Sequence, residues 1–246
     1  RQIVYDVLKY QNTGSVLDFG AGFGRHALFL ASKGFRVTAV EKDAEKGKMS
    51  EQLLAQSIER VSDFAEESHW IWHGGEPLLM GLDFFREIKN VQGFYEKRGK
   101  KFDNGIQSNG TLITSELIDF IQETKDFSMG MSLDGPKLLH DKTRVYPHGG
   151  SSFKEVMQGL KLTSFRGGKS GVICVVSAEN INHPKELYNF FKSEKINVKF
   201  NPLIKSGRAE ENLRDLAITP KQYGDFLIKL WNIYNHDVKE TGEFVI

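Results

Sequence analysis

The sequence predicts an α/β protein with a parallel sheet, arranged as a partial (β/α) barrel preceded by a Rossmann-like βαβ unit. Short apolar runs with β-branched or aromatic character recur at 15–19, 36–40, 69–72, 105–108, 128–133, 171–176 and 198–203, the mark of buried strands. Longer segments of helical period separate most of them, at 50–66, 82–97, 115–123, 153–165 and 184–194. That βαβα order calls for parallel strands joined by crossover helices.

Each element has its own signal. The strand at 15–19 runs into a glycine-rich turn, and the helix expected after it spans 25–33. The strand at 36–40 ends in Glu41, and the charged stretch 41–48 is the best candidate for a junction. The remaining five strands and their helices form the partial barrel. A final amphipathic helix opens at Thr219-Pro220, where Thr can cap and Pro suits the first turn, and runs to about 235. Phe244-Val245-Ile246 reads as the beginning of a further strand.

Composition narrows the function classes. Lys and Arg number 33 against 32 for Asp and Glu, a net charge of +1, so no field draws in nucleic acid or an anionic membrane. No stretch approaches the roughly 18 apolar residues of a membrane span, and the first residues lack the apolar core of a signal peptide. A cytoplasmic location is the expectation. Cys174, the one cysteine, lies in the run Val172-Ile173-Cys174-Val175-Val176 and reads as a small core hydrophobe, which leaves no intrachain disulfide and no all-cysteine metal site in this sequence. The seven histidines show no pair at metal-ligand helical spacing. Phe84, Phe85, Phe94 and Tyr95 share an amphipathic helix and read as core. Lys205-Ser206-Gly207-Arg208 reads as a solvated loop.

Two motif sets carry chemistry. In the first, the strand Val16-Leu17-Asp18-Phe19 leads into Gly20-Ala21-Gly22-Phe23-Gly24, where glycines let the backbone turn and approach a ligand while helix-terminal N–H groups point at it. Glu41, closing the next strand, suits both hydroxyls of a ribose. An ordinary tight βα turn is the alternative.

In the second set, polar groups sit at successive strand ends, where an α/β barrel binds ligands. His73-Gly74-Gly75-Glu76-Pro77 offers backbone carbonyls and a carboxylate suited to an ammonium group, with a plain turn as the alternative. Gln107-Ser108-Asn109-Gly110, Ser132-Leu133-Asp134-Gly135-Pro136 and Asn201-Pro202-Leu203 follow. Arg144 is a fork for a carboxylate, or else a surface arginine paired with Asp141.

The first set resembles the opening βαβ unit of class I S-adenosylmethionine (SAM)-dependent methyltransferases, over about residues 1–43. That resemblance implies that Asp18, Gly20, Gly22 and Gly24 line the methionine end of SAM and that Glu41 holds its ribose. The second set, with His140-Asp141-x-x-Arg144, resembles radical SAM enzymes of the anaerobic sulfatase-maturating and SPASM peptide-maturase group, over about residues 49–246 of an expected domain at 44–246. There the resemblance implies that His73, Gly74, Gly75 and Glu76 hold the SAM amino group, that Ser132 and Arg144 bind its carboxylate, and that Leu203 lies against adenine.

The implied activity is oxidation of a Cys or Ser in a partner polypeptide, by a maturase or an inactive remnant of one. A SAM-dependent methyltransferase and a non-catalytic SAM- or peptide-binding module are the alternatives. The family's [4Fe-4S] cluster is expected from the resemblance, but its three-cysteine loop is absent from this sequence. The family's cysteine-rich extension is expected beyond Ile246. No catalytic residue and no metal ligand is assigned.

Overall fold

The computed structural model describes residues 49–73, 75–165, 170–203 and 216–241, and the backbone of 15–19 and 36–40. Strands β1 (Ser15–Phe19) and β2 (Arg36–Val40) pair in parallel, Ser15 opposite Arg36 and Phe19 opposite Val40, as a separate two-stranded sheet. This parallel pairing is the one expected of a Rossmann-like unit. The glycine loop, its helix and Glu41 lie outside the described residues.

A five-stranded sheet follows in the order β3 (Glu67–Trp72), β4 (Lys101–Ser108), β5 (Phe127–Ser132), β6 (Ser170–Val176) and β7 (Asn197–Pro202). The registers β3–β4, β5–β6 and β6–β7 are parallel. Helices α1 (Glu51–Ser62), α2 (Leu82–Glu96), α3 (Ser115–Thr124), α4 (Lys137–His140), α5 (Phe153–Phe165), α6 (Pro184–Ser193) and α7 (Pro220–Thr241) alternate with the strands, and a 3-10 turn spans Pro77–Met80.

The chain divides into two compact units, residues 1–107 with 119–128, and 108–118 with 129–246. In the first, Ser50 caps α1 by accepting the Leu53 amide at 3.2 Å, and Leu54, Ile58 and Val61 form its buried stripe. Helix α2 buries Phe85, Ile88 and Gln92 on the same period. Trp70 and Trp72, two apart on β3, point to one face, stack at 5.5 Å and are buried, while Ile71 between them is exposed.

One polar exception is built into this core. Asn104 of β4 and Gln92 of α2 exchange amide hydrogen bonds of 2.9 and 3.1 Å, and the Trp72 indole N–H donates to Asn104 Oδ1 at 2.9 Å. All three side chains are buried, so each polar group must find its partner inside. The aromatic group on α2 is not uniformly core: Phe85 is buried, but Phe94 is exposed with the Arg98 guanidinium 3.5 Å above its ring. The ring near the helix end meets a guanidinium instead of the core.

In the second unit Met131, Val172, Cys174 and Val176 are buried on alternate strand positions, and Leu187 and Phe191 of α6 are buried as well. Helix α7 is joined to α6 through Asp237, which accepts from Tyr188 Oη at 2.6 Å and Lys192 Nζ at 2.5 Å. Tyr223 Oη of α7 donates to the Phe200 carbonyl of β7 at 2.8 Å. The helix runs six residues beyond its expected end at about 235, reaching Thr241. Among the described residues no helix is long and apolar enough to cross a membrane.

Candidate functional site

The polar motifs fall at the C-terminal ends of the strands. Trp72 closes β3, and His73 follows it, exposed. Gly75 has a φ of 55° and open space around it, a left-handed turn that brings no side chain against whatever the loop faces. Gly74 lies outside the described residues. Glu76 is buried, and its Oε1 accepts the Leu78 amide at 3.0 Å, capping the 3-10 turn that Pro77 opens. The sequence offers Glu76 as an ammonium ligand, and what the structure shows for it is this capping bond.

Ser108, the last residue of β4, is buried and accepts the Gly110 amide at 2.9 Å, and Asn109 Oδ1 accepts the Thr111 amide at 2.9 Å. These side-chain turns shape the loop after β4. Ser132 ends β5 opposite Ile173, half-buried. Leu203 follows β7, half-buried, its amide donating to the Val176 carbonyl at 2.9 Å. Asp18 lies on β1, while Gly20, Gly22, Gly24 and Glu41 lie outside the described residues.

For Arg144 the structure replaces the pairing offered as its alternative. Its partner is Asp134 and not Asp141: Arg144 Nε donates to Asp134 Oδ2 at 2.7 Å. Asp141 instead takes Lys137 and the Ser151 hydroxyl, the latter at 2.6 Å. Asp134 also accepts Thr143 Oγ1 at 2.9 Å on Oδ2 and the Val175 amide at 2.8 Å on Oδ1. Its side chain is 4% exposed, so its oxygens find their donors within the protein. Val175 sits near the end of β6, so the carboxylate ties Arg144 to that strand end.

The pairing occupies Arg144 Nε. The guanidinium makes no other hydrogen bond among the described residues, and the side chain is 26% exposed, an arrangement that suits a carboxylate or another planar anion on its Nη edge. His140, four residues before Arg144, is fully buried, and burial holds its pKa down at about 4 despite the nearby Asp134 carboxylate. Asp134 and His140 were not among the residues singled out for ligand binding. Their signal was the spacing alone, His140 and Arg144 sharing one helical turn's separation after Asp134.

Comparison with known proteins gives the family. Residues 32–191, well over half of the chain, match the radical SAM superfamily. The chain belongs to the radical SAM superfamily. It is 34% identical over 223 residues to the serine-type anaerobic sulfatase-maturating enzyme of Bacteroides thetaiotaomicron, covering 83% of this chain and 53% of that protein. With the cysteine-type anaerobic sulfatase-maturating enzyme of Clostridium novyi it shares 31% identity over 201 residues, 81% of this chain and 53% of that one. The solved structure of native anSMEcpe with bound AdoMet and Cp18Cys peptide superposes with a TM-score of 0.75 at 25% identity, over 96% of this chain and 63% of that one.

The chain thus spans about half the length of the curated relatives it matches. The α/β partial-barrel fold expected of radical SAM proteins is the fold observed.

SAM and the iron-sulfur cluster fare differently against these residues. Taken each in its own unit, the buried Glu76 carboxylate beside a glycine turn is a group type that suits an ammonium, and the part-exposed Arg144 guanidinium is one that suits a carboxylate, so neither is at odds with SAM chemistry. The cluster does not fit. Cys174 is the one thiol of the sequence, it is fully buried on β6, and burial pushes its pKa well above the usual thiol range, away from the thiolate a cluster needs.

Proposed function

We propose that this chain is the SAM-binding barrel of a sulfatase-maturase-like radical SAM protein whose partner is a polypeptide. The observation that carries the reading is the Asp134–Arg144 pair. A guanidinium held by its Nε and open on its Nη edge is a carboxylate receptor, standing just beyond the end of a parallel strand of a radical SAM fold.

In this reading Arg144 and Ser132 take the SAM carboxylate, the His73–Glu76 turn takes the amino group, and Leu203 lies against the adenine. The relatives are named serine-type and cysteine-type maturases and one structural neighbour holds a peptide, which supports a polypeptide bearing Ser or Cys as the partner. SAM supplies the group that a radical SAM fold activates. No step through an iron-sulfur cluster is derived, since the cysteines for one are not in this sequence.

Calorimetry with SAM tests the reading directly. Binding by the unaltered chain and its loss in Arg144→Ala support it, and the same affinity in both rejects it. Anaerobic incubation with iron and sulfide, followed by assay for 5′-deoxyadenosine, separates a catalytic chain from a binding one.

The β1–β2 register favours a second reading for residues 1–43, since two parallel strands flanking a glycine loop form half of a Rossmann-like nucleoside site. Under it Asp18, Gly20, Gly22, Gly24 and Glu41 hold SAM as in a methyltransferase. Gly22→Val then abolishes a binding event that Arg144→Ala leaves intact.

A further inference from the structure

Behind Arg144 lies a histidine that reaches no solvent. His140 closes α4, is 0% exposed, and packs edge-on to Phe153 with ring centroids 5.7 Å apart. Asp134, Asp141, Arg144 and Lys137 are the charged groups around it. Both ring nitrogens are engaged: the Asp134 backbone N–H donates to Nδ1 at 3.3 Å, and Nε2 lies 3.0 Å from Ser152 Oγ.

The backbone amide settles the tautomer. An N–H can only donate, so Nδ1 carries a lone pair and the neutral ring keeps its proton on Nε2. Nε2–H then donates to Ser152 Oγ, whose own proton goes to the Arg144 carbonyl 2.9 Å away. The chain of bonds runs from the Asp134 backbone through imidazole and hydroxyl to the Arg144 backbone. Asp134 and Arg144 are also the two residues joined by the ion pair, so the nine-residue segment between them is closed twice, once through side chains and once through His140.

We infer that His140 is a positioning residue for ligand recognition: as a neutral imidazole it fixes the Asp134 and Arg144 backbones so that the guanidinium edge is presented to the carboxylate of SAM. The inference rests on the reading of Arg144 as the carboxylate fork. A merely structural histidine would support both ends of the ligand equally, whereas a positioning one acts on the carboxylate alone. The depressed pKa of about 4 agrees with a ring that stays neutral. A second proton on Nδ1 would face the Asp134 N–H and break the chain at its first bond.

The test compares SAM with decarboxylated SAM, which keeps the sulfonium and the amine but lacks the carboxylate. Affinities come from calorimetry on the full chain, with thermal unfolding in parallel. Arg144→Ala should erase the preference for SAM. His140→Ala should weaken SAM roughly tenfold, leave decarboxylated SAM unchanged, and add nothing to Arg144→Ala. His140→Asn, which keeps an acceptor near the Asp134 amide, should lose less than His140→Ala.

Should His140→Ala not fold, Ser152→Ala cuts the same chain at one bond and should lower SAM affinity about threefold with decarboxylated SAM unaffected. Equal losses for both ligands, or none, overturn the inference. A preference for SAM that survives Arg144→Ala, or no SAM binding by the unaltered chain, instead removes the underlying assignment of Arg144.

Discussion

Arg144 Nε lies 2.7 Å from Asp134 Oδ2, and the other oxygen of that carboxylate takes the Val175 amide at 2.8 Å. A nearly buried acid is thus shared between a part-exposed cation and a strand end. Asp134→Asn keeps an acceptor for Val175 but loses the charge, and should cost about 2 kcal/mol in urea unfolding. Asp134→Ala orphans the Val175 amide as well and should cost more. Arg144→Ala, leaving Asp134 buried without its counter-charge, should fall between them.

The buried amide pair offers a sharper test of polar accounting. Asn104→Leu leaves both the Gln92 amide and the Trp72 indole N–H unsatisfied, and about 2–4 kcal/mol of stability should be lost. Adding Gln92→Leu should restore part of it, because an apolar group then replaces the orphaned Gln92 amide while the Trp72 indole N–H still lacks its Asn104 acceptor. A double variant less stable than the single would contradict this account.

His140 should make stability depend on pH. Its folded pKa is about 4 against 6.5 for a free histidine, so between those values the unfolded chain binds a proton that the folded chain refuses. Stability should therefore fall as pH drops from about 6.5 to about 4, by up to roughly 3 kcal/mol, and this contribution should change no further below pH 4. Urea midpoints measured across that range for the unaltered chain and His140→Asn should diverge. Parallel curves would exclude the histidine as the cause.

Gly135 follows Asp134 with a φ of 125°, and a Cβ there would stand 2.5 Å from Leu187 Cδ2, a fully buried side chain of α6. Gly135→Ala should cost about 1–3 kcal/mol by calorimetric melting. Leu187→Ala in the same chain removes the clash but not the backbone strain, so the two losses should be less than additive.

Cys174 should be silent toward thiol reagents in the native chain and react on unfolding. Anaerobic reconstitution should leave no [4Fe-4S] chromophore, and Cys174→Ala should not change the iron content. Stoichiometric iron with a cluster spectrum would show that ligands other than this thiol hold it.

Much of the fold was legible because apolar period and strand length agree. The helix expected at 153–165 is observed at Phe153–Phe165, and the strand at 128–133 at Phe127–Ser132. The strand expected at 105–108 begins at Lys101, since Asn104 is inward only by virtue of Gln92 and Trp72, partners that no local pattern announces. Helix α4 and the Pro77–Met80 turn are too short to show a period. At the site, motif spacing located the strand ends. It could not show that Arg144 turns to Asp134 instead of Asp141, because that choice is made by the Val175 amide and Thr143 fixing the carboxylate in three dimensions.

Of the three tryptophans, Trp70 and Trp72 form the stacked, buried pair on β3, and Trp231 is exposed on α7. The intrinsic fluorescence of the chain is therefore concentrated in the strand that delivers His73 and Glu76, while the exposed indole emits further to the red. A ligand that settles into that turn can be followed by the blue component, and α7 by the red one, with no dye attached.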